Sequence, residues 1–191
     1  MPGIFLIGDT HFGHAGVCQF LRDDGTKLRP WDHVAQMDEH MVQVWNERVG
    51  AKDKVYHLGD VVINRRALSI LRRLNGDKVL IKGNHDIFHL KDYAAHFRDV
   101  RAYHVLNGMI LSHIPVHADS LGRFGVNIHG HLHYRRVNRV VDGQEVLDPR
   151  YYCVSVEHLP DWAPVAMEDV MQRIRDQGGE VGFRNGNGPT L

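Results

Sequence analysis

Two aspartates, an asparagine and four histidines stand in this chain where a metal site would need them. They fall in five short segments: Gly8-Asp9-Thr10-His11, Gly59-Asp60, Gly83-Asn84-His85-Asp86, Ser112-His113 and Gly130-His131-Leu132-His133. Each segment sets an oxygen or imidazole donor beside a glycine or just past an apolar run. Asp9, His11, Asp60, Asn84, His113, His131 and His133 together suffice for two divalent cations that share one carboxylate. A pair of cations at the end of a sheet suits attack on phosphate esters. The composition points the same way, with 15 histidines against two cysteines, since neutral imidazole is the commonest metal ligand.

Donors so dispersed need a scaffold that gathers them. Ile4-Phe5-Leu6-Ile7 is a continuous apolar run that stops at Gly8-Asp9, the pattern of a buried strand. The same grammar returns at 54–58 before Gly59-Asp60 and at 78–81 before Gly83-Asn84. Met37, Met41, Val44 and Trp45 form one helical face between these strands. Ala67, Leu68, Leu71 and Leu74 form another, with Asn64 as N-cap and Asn75-Gly76 as the stop. Strand–helix repetition of this kind predicts a layered α/β fold. In open α/β sheets the ligand site lies beyond the carboxyl ends of the strands, which is where Asp9, Asp60 and Asn84 fall. Asp9 and His11 alternate, as do His131 and His133, so on extended backbone each pair points one way.

The second half is richer in short β segments: 100–106, 109–111, 126–129, 136–141 and 151–156. Asn107-Gly108 and Asp142-Gly143 are hairpin-turn signals between them. A last amphipathic helix carries Met167, Val170, Met171 and Ile174. The expected organisation is one domain over 1–177, with a loose Gly- and Asn-rich tail over 178–191.

At 191 residues the chain can bury a sizeable core. Lys plus Arg equals Asp plus Glu at 23 each, so no global field draws it to nucleic acid, and no strong nucleic-acid footprint is expected. No apolar stretch approaches a membrane span, and nothing at the N-terminus resembles a signal peptide, so a cytoplasmic protein without membrane partners is expected. Cys18 and Cys153, far apart and in no metal spacing, are expected to be free thiols.

Taken alone, each motif has an ordinary explanation: Asp is common at strand-end turns, and a GNHD run can be a turn before a capped helix. HGHLH is stronger, because three alternating histidines would lose solvation if buried without partners. All five in this order resemble the calcineurin-like metallophosphoesterase superfamily, and GDTHFGH, YHLGDV, KGNHD, LSHIP and HGHLH are most similar to its small bacterial and phage-associated branch. The resemblance covers Met1 to about Val156. It implies a four-layer α/β/β/α sandwich of two mixed sheets flanked by helices. It further implies that Asp9, His11 and His133 hold one metal, that Asn84, His113 and His131 hold the second, and that Asp60 bridges. A metal-bridging hydroxide would then attack a phosphodiester or phosphomonoester, with His85 as general acid toward the leaving alkoxide. The cofactor it implies is two divalent metal ions, Mn by resemblance, with Fe, Zn, Ni and Co also suited to mixed N/O ligation. The partner is a small phosphate ester or nucleotide.

Two departures narrow the resemblance. The protein Ser/Thr phosphatase branch follows its GD with an Asp that orients the catalytic His and an Arg that grips phosphate. Here Val61-Val62-Ile63-Asn64 follow, and Lys82 stands where that branch has Arg. Both features argue against a protein phosphatase. His14, Lys82 and Arg65 are the candidate substrate contacts, and the segments 21–32 and 118–125 are the candidate substrate walls. His14 and His117 are otherwise loop histidines. His57 is expected in the core or behind a ligand, His129 is no ligand, and His33, His40, His89, His96, His104 and His158 are expected on the surface or on helices. The competing readings are a silent scaffold of the same fold that binds a protein, and a nuclease acting on short nucleic acids.

Overall fold

A computed structural model describes residues 2–183. The chain runs β1 (Ile4–Ile7), α1 (Val34–Arg48), β2 (Lys54–His57), β3 (Asp77–Ile81), α2 (Leu90–Ala94), β4 (Asp99–Arg101), β5 (Tyr103–Leu106), β6 (Met109–Ser112) and β7 (Asn127–His129). It continues through β8 (Asn138–Val141), β9 (Gln144–Leu147), β10 (Tyr151–Cys153), β11 (Val165–Ala166) and α3 (Met167–Asp176).

These strands build two mixed sheets. The first has the order β11-β1-β2-β3-β4 and the second β10-β7-β6-β5. In the first, β1 to β4 are parallel and only β11 is antiparallel; in the second, β10, β7 and β6 are parallel and β5 returns antiparallel. The registers Ile7↔His57 and His57↔Leu80 bring β1, β2 and β3 to a common end. Every segment named above as a donor leaves the carboxyl end of one of these parallel strands. β8 and β9 form the Asp142-Gly143 hairpin, which stands apart as its own two-stranded sheet.

Alternation along β2 shows how the layers stack. His57 faces the helices, stacking on Trp45 of α1 at 6.3 Å, while Tyr56 faces the second sheet and stacks on His104 of β5 at 5.1 Å. Met37, Met41, Val44 and Trp45 are buried, so the apolar stripe of α1 covers the first sheet as its spacing predicts. The second helical stretch forms a 3-10 helix over Arg65–Arg73, capped by Asn64 Oδ1 accepting from the Ala67 N–H at 3.0 Å. A smaller cluster of Ile110, Leu121 and Tyr151 covers the outer face of the second sheet, under a short 3-10 turn at Ala118–Ser120. This is the two-sheet sandwich with flanking helical layers that the resemblance implies.

Three expectations change. The segment 100–106 is not one strand: it leaves the first sheet at Arg101 and enters the second at Tyr103, so Ala102 is where the chain changes sheets. His104 is accordingly half-buried between the sheets, bonded to Tyr56 Oη at 3.2 Å, rather than on the surface. Of the expected loose tail from Gly178, the described part is held, since Gly182 accepts from the Gly125 N–H and Phe183 packs on Phe124 at 5.9 Å. Its remainder, 184–191, lies outside the described residues. Both cysteines are free and buried, and no described helix is long and apolar enough to cross a membrane.

Candidate metal centre

Backbone bonds lace the loops that carry the donors. The Asp9 N–H donates to Gly59 O, the His11 N–H to Asp60 O and the Gly130 N–H to His113 O, at 2.9–3.0 Å. The two sheets are joined at the same end, where the Gly8 N–H donates to Val154 O at 2.8 Å. The result is one cluster from five separated segments.

Within it, donor atoms of Asp9, His11 and His133 lie within 4.8 Å of one another, and so do those of Asp60, His113 and His131. Asp60 faces both groups: its Oδ2 is 3.6 Å from His11 Nε2 and 3.4 Å from His113 Nε2. Asn84 completes the second group, its Oδ1 lying 2.8 Å from His113 Nε2 and 3.0 Å from His131 Nδ1. All seven sequence-predicted ligands are thus together, in the two groups that the motif order implies.

The cluster's own chemistry fits cations. His113 Nδ1 must donate to Leu58 O at 2.8 Å, because a carbonyl only accepts, which leaves Nε2 as the ring atom turned toward Asp60 and Asn84. His133 Nδ1 likewise meets Glu157 Oε1 at 3.0 Å, and a second carboxylate or carbonyl behind the ring is how metal-bound imidazoles are oriented. Both ring nitrogens of His11 are buried without a hydrogen-bond partner among the described residues. Imidazole nitrogens and carboxylate and amide oxygens that converge in this way are what a divalent ion satisfies.

The two carboxylates differ. Burial pushes Asp9 up to about 6, against the pull of His113 and His133. Burial also works to raise Asp60, but His113, the His85 amide and His11 overcome it and hold the carboxyl down at about 2. Asp60 is an anion in place, whereas Asp9 is an anion that a cation would complete. His131 N–H and Ser155 Oγ fix Asp9 by donating to its carboxylate at 2.7–3.0 Å.

Five of the seven donors sit on left-handed backbone: Asp9 at φ 57°, His11 at 49°, Asp60 at 55°, His131 at 69° and His133 at 53°. This corrects the expectation that DTH and HLH are extended. The alternating pairs do converge, but through two left-handed residues flanking Thr10 or Leu132. Each such residue costs on the order of 1 kcal/mol, and strain of this kind concentrates at functional sites. Close approach requires two glycines: a Cβ on Gly83 would strike Asp60 Oδ1, and one on Gly130 would strike Asp9 Oδ2.

The other sequence candidates divide. His85 stands at the rim, its ring 5.5 Å from that of His11, and its side chain has no hydrogen-bond partner among the described residues. Its backbone N–H donates to Asp60 Oδ1 at 2.8 Å. His14 lies 5.7 Å from His11 and uses Nδ1 to cap the 3-10 turn at Ala15–Cys18. Lys82 lines a groove of 620 Å³ that opens beside Asn84 and His113, with Tyr103, Ser120 and Phe124 on its walls. Arg65 is not brought there. It pairs with Asp92 at 2.9 Å and stacks on Phe88, because α2 offers the nearer carboxylate. His117 is exposed, capping Asp119. The 21–32 segment is not simply a wall, since Leu28 and Arg29 turn inward.

The residues that sequence reasoning missed support the donors from behind. Arg29 and Glu157 are a fully buried pair at 2.9 Å, and Arg29 also donates to the carbonyls of Asp9 and Thr10. Asp86 accepts from the N–H groups of Asp60, Val61 and Gly83 at 2.8–3.0 Å, clamping two donor loops together. Asp86 was legible as the last residue of GNHD. Arg29 and Glu157 lie 128 positions apart, and no local pattern links them.

No family model matches the chain. The uncharacterized protein MJ1445 of Methanocaldococcus jannaschii is 30% identical over 179 residues, covering 91% of this chain and 92% of that protein. The gene 66 protein of Mycobacterium phage D29 is 27% identical over 215 residues, covering 92% and 98%. Among solved structures, the protein of unknown function AQ665 from Aquifex aeolicus matches with a TM-score of 0.64 at 21% identity, over 91% of this chain and 100% of that one, a likeness of fold. With nearly the full length of both chains aligned, this chain belongs to the family of MJ1445.

Proposed function

We propose that the protein is a dinuclear metal-dependent phosphoesterase acting on small phosphodiesters or phosphomonoesters. The observation that carries this is Asp60, whose one carboxylate oxygen faces His11 of one donor group and His113 of the other. Asp9, His11 and His133 would hold the first ion, Asn84, His113 and His131 the second, with Asp60 shared. When bound, such a pair supplies Lewis acidity and an activated water for in-line displacement at phosphorus. Mn is the first choice of ion by resemblance, and Fe, Zn, Ni and Co suit the same donors.

The chain's own groups do the rest. Asn84 contributes an amide oxygen and no charge, which leaves the site positive enough for a phosphate anion. His85, whose side chain stands at the rim without a hydrogen bond among the described residues, would give a proton to the leaving alkoxide. Lys82 is the cation nearest the groove and meets phosphate oxygens, while Tyr103 and Phe124 offer the ester's organic group an apolar wall. His14, its ring 5.7 Å from that of His11, is a further candidate contact. A small ester or nucleotide fits this groove.

The test is a substrate panel of monoesters, diesters and cyclic nucleotides, with each metal added in turn, on wild type, Asp60→Asn and His85→Ala. Asp60→Asn is expected to lose turnover, and His85→Ala to lose more against poor leaving groups than against nitrophenolate. No turnover by wild type with any metal would instead favour a protein-binding scaffold.

A further inference from the structure

Asn84 and His113, two donors of the second group, line the 620 Å³ groove together with Lys82. The rest of its surface is the outer face of the second sheet. The register Tyr103↔Ser112 sets β5 and β6 side by side there, and Ile110, two residues before Ser112, shares their face. Ile110 is 6% exposed and packs in the small cluster with Leu121 and Tyr151, so the groove is the open side of a packed core. Val116 and Phe124 extend that cluster along the wall. Tyr103 and Ile114 border the groove as well, and they are 63% and 52% exposed, apolar surface with nothing over it among the described residues.

The polar atoms of this wall are already engaged. Ser112 Oγ donates to Ile114 O at 2.7 Å and accepts from Asn127 Nδ2 at 2.9 Å. The Val116 N–H donates to Asn127 Oδ1, and Val116 O accepts from Tyr151 Oη, both at 2.9 Å. Among the described residues the lining has no carboxylate, and Lys82 carries its one permanent charge. A nucleoside brings sugar hydroxyls and a base edge, and each of these left unpaired against such a wall would lose about tenfold in affinity. An apolar group has no such requirement and gains by leaving water.

We propose that the substrate is a phosphate ester of an apolar alcohol, its phosphate beside Asn84, His113 and Lys82 and its alkyl or aryl group lying over Ile110 against Ile114, Val116 and Phe124. The phosphate's place rests on the phosphoesterase reading above, and the organic group's place rests on the groove alone. Affinity there follows the apolar area removed from water. Hydroxyl and amino groups on that part of the substrate count against it, so the groove prefers such esters to nucleotides.

Calorimetric titration of the metal-loaded full chain with methyl-, butyl- and hexylphosphonate, which have no ester bond to cleave, and with a nucleoside 5′-phosphonate tests it. Affinity should rise about two- to fourfold for each added methylene, and the nucleoside analogue should bind more weakly than hexylphosphonate. Chelation should lower every affinity and leave the chain-length slope in place. Tyr103→Ser combined with Ile114→Ser, both at exposed positions, should flatten the slope. Val140→Ser, an equally exposed apolar change on the β8–β9 hairpin, should leave it as it is. In turnover, nitrophenyl alkyl phosphates should show the same slope in KM and little of it in kcat. Undetectable hexylphosphonate binding, a flat series, a slope indifferent to the double change or a nucleoside analogue that outbinds hexylphosphonate would overturn the proposal. Absence of turnover with the slope intact would uphold the groove's preference and overturn the phosphoesterase reading instead.

Discussion

Glu157→Gln removes one charge and almost no volume from behind the metal centre. Glu157 is fully buried, with Arg29 Nε and a terminal nitrogen at 2.9 Å and His133 Nδ1 at 3.0 Å, all on Oε1. Burial works to raise its pKa, but Arg29 and then His133 hold it down at about 2, from an ordinary 4.5. The charged carboxylate is thus favoured on folding by about 3 kcal/mol, present above pH 4.5 and lost as pH falls toward 2. Leaving Arg29 buried without its counter-charge costs about 3–5 kcal/mol by an independent route. Both figures are a large share of a typical total stability of about 5–15 kcal/mol. Urea unfolding at neutral pH should therefore show a midpoint lowered by that amount, with the slope unchanged. His133 is left with a neutral amide oxygen behind Nδ1 in place of a carboxylate, so affinity for one of two metals should fall by about 10- to 100-fold, and for the other much less. An unfolding midpoint and two metal affinities equal to wild type would refute the argument that this pair supports the site.

Gly83→Ala should disturb Asp60, since the new methyl meets its Oδ1; about 1–3 kcal/mol of overpacking should appear as weaker metal binding in a protein that still folds by circular dichroism. Asp86→Ala orphans three buried N–H groups and should cost about 3 kcal/mol or more in chemical unfolding. Burial lowers His57 from 6.5 to about 3, and His129 from 6.5 to about 4, so both stay neutral in the folded chain while the unfolded chain takes up protons. Stability should fall as pH drops below 6.5, by about 2 kcal/mol for each histidine at pH 5; His57→Phe, measured across the same range, should flatten that slope. Chelation should lower the thermal midpoint, and added Mn should restore it in proportion to the logarithm of its concentration.

Much of the site was legible because the fold uses a simple rule. Apolar runs that stop at Gly-Asp or Gly-Asn are parallel strands, and parallel strands deliver their next residues to one edge. That rule placed Asp9, Asp60 and Asn84, and the motif order placed the four histidines. What could not be read was non-local or conformational. Arg29 and Glu157 meet only because a 3-10 turn at Val156–His158 follows β10, which no spacing announces. The left-handed backbone of Asp9, His11, Asp60, His131 and His133 runs against local preference, so propensity favoured extended segments there. The change of sheet at Ala102 was hidden because β4 and β5 are both β-rich and only one residue separates them.

The central claim is that one carboxylate, Asp60, is shared by two ions. Calorimetric titration of metal-free protein with Mn, paired with anomalous scattering from crystals grown in Mn, tests it most directly. Two ions per chain are expected, one beside Asp9, His11 and His133 and one beside Asn84, His113 and His131, both in contact with Asp60. Asp60→Asn should then weaken both sites together. A single ion, or two that do not share Asp60, would contradict the account.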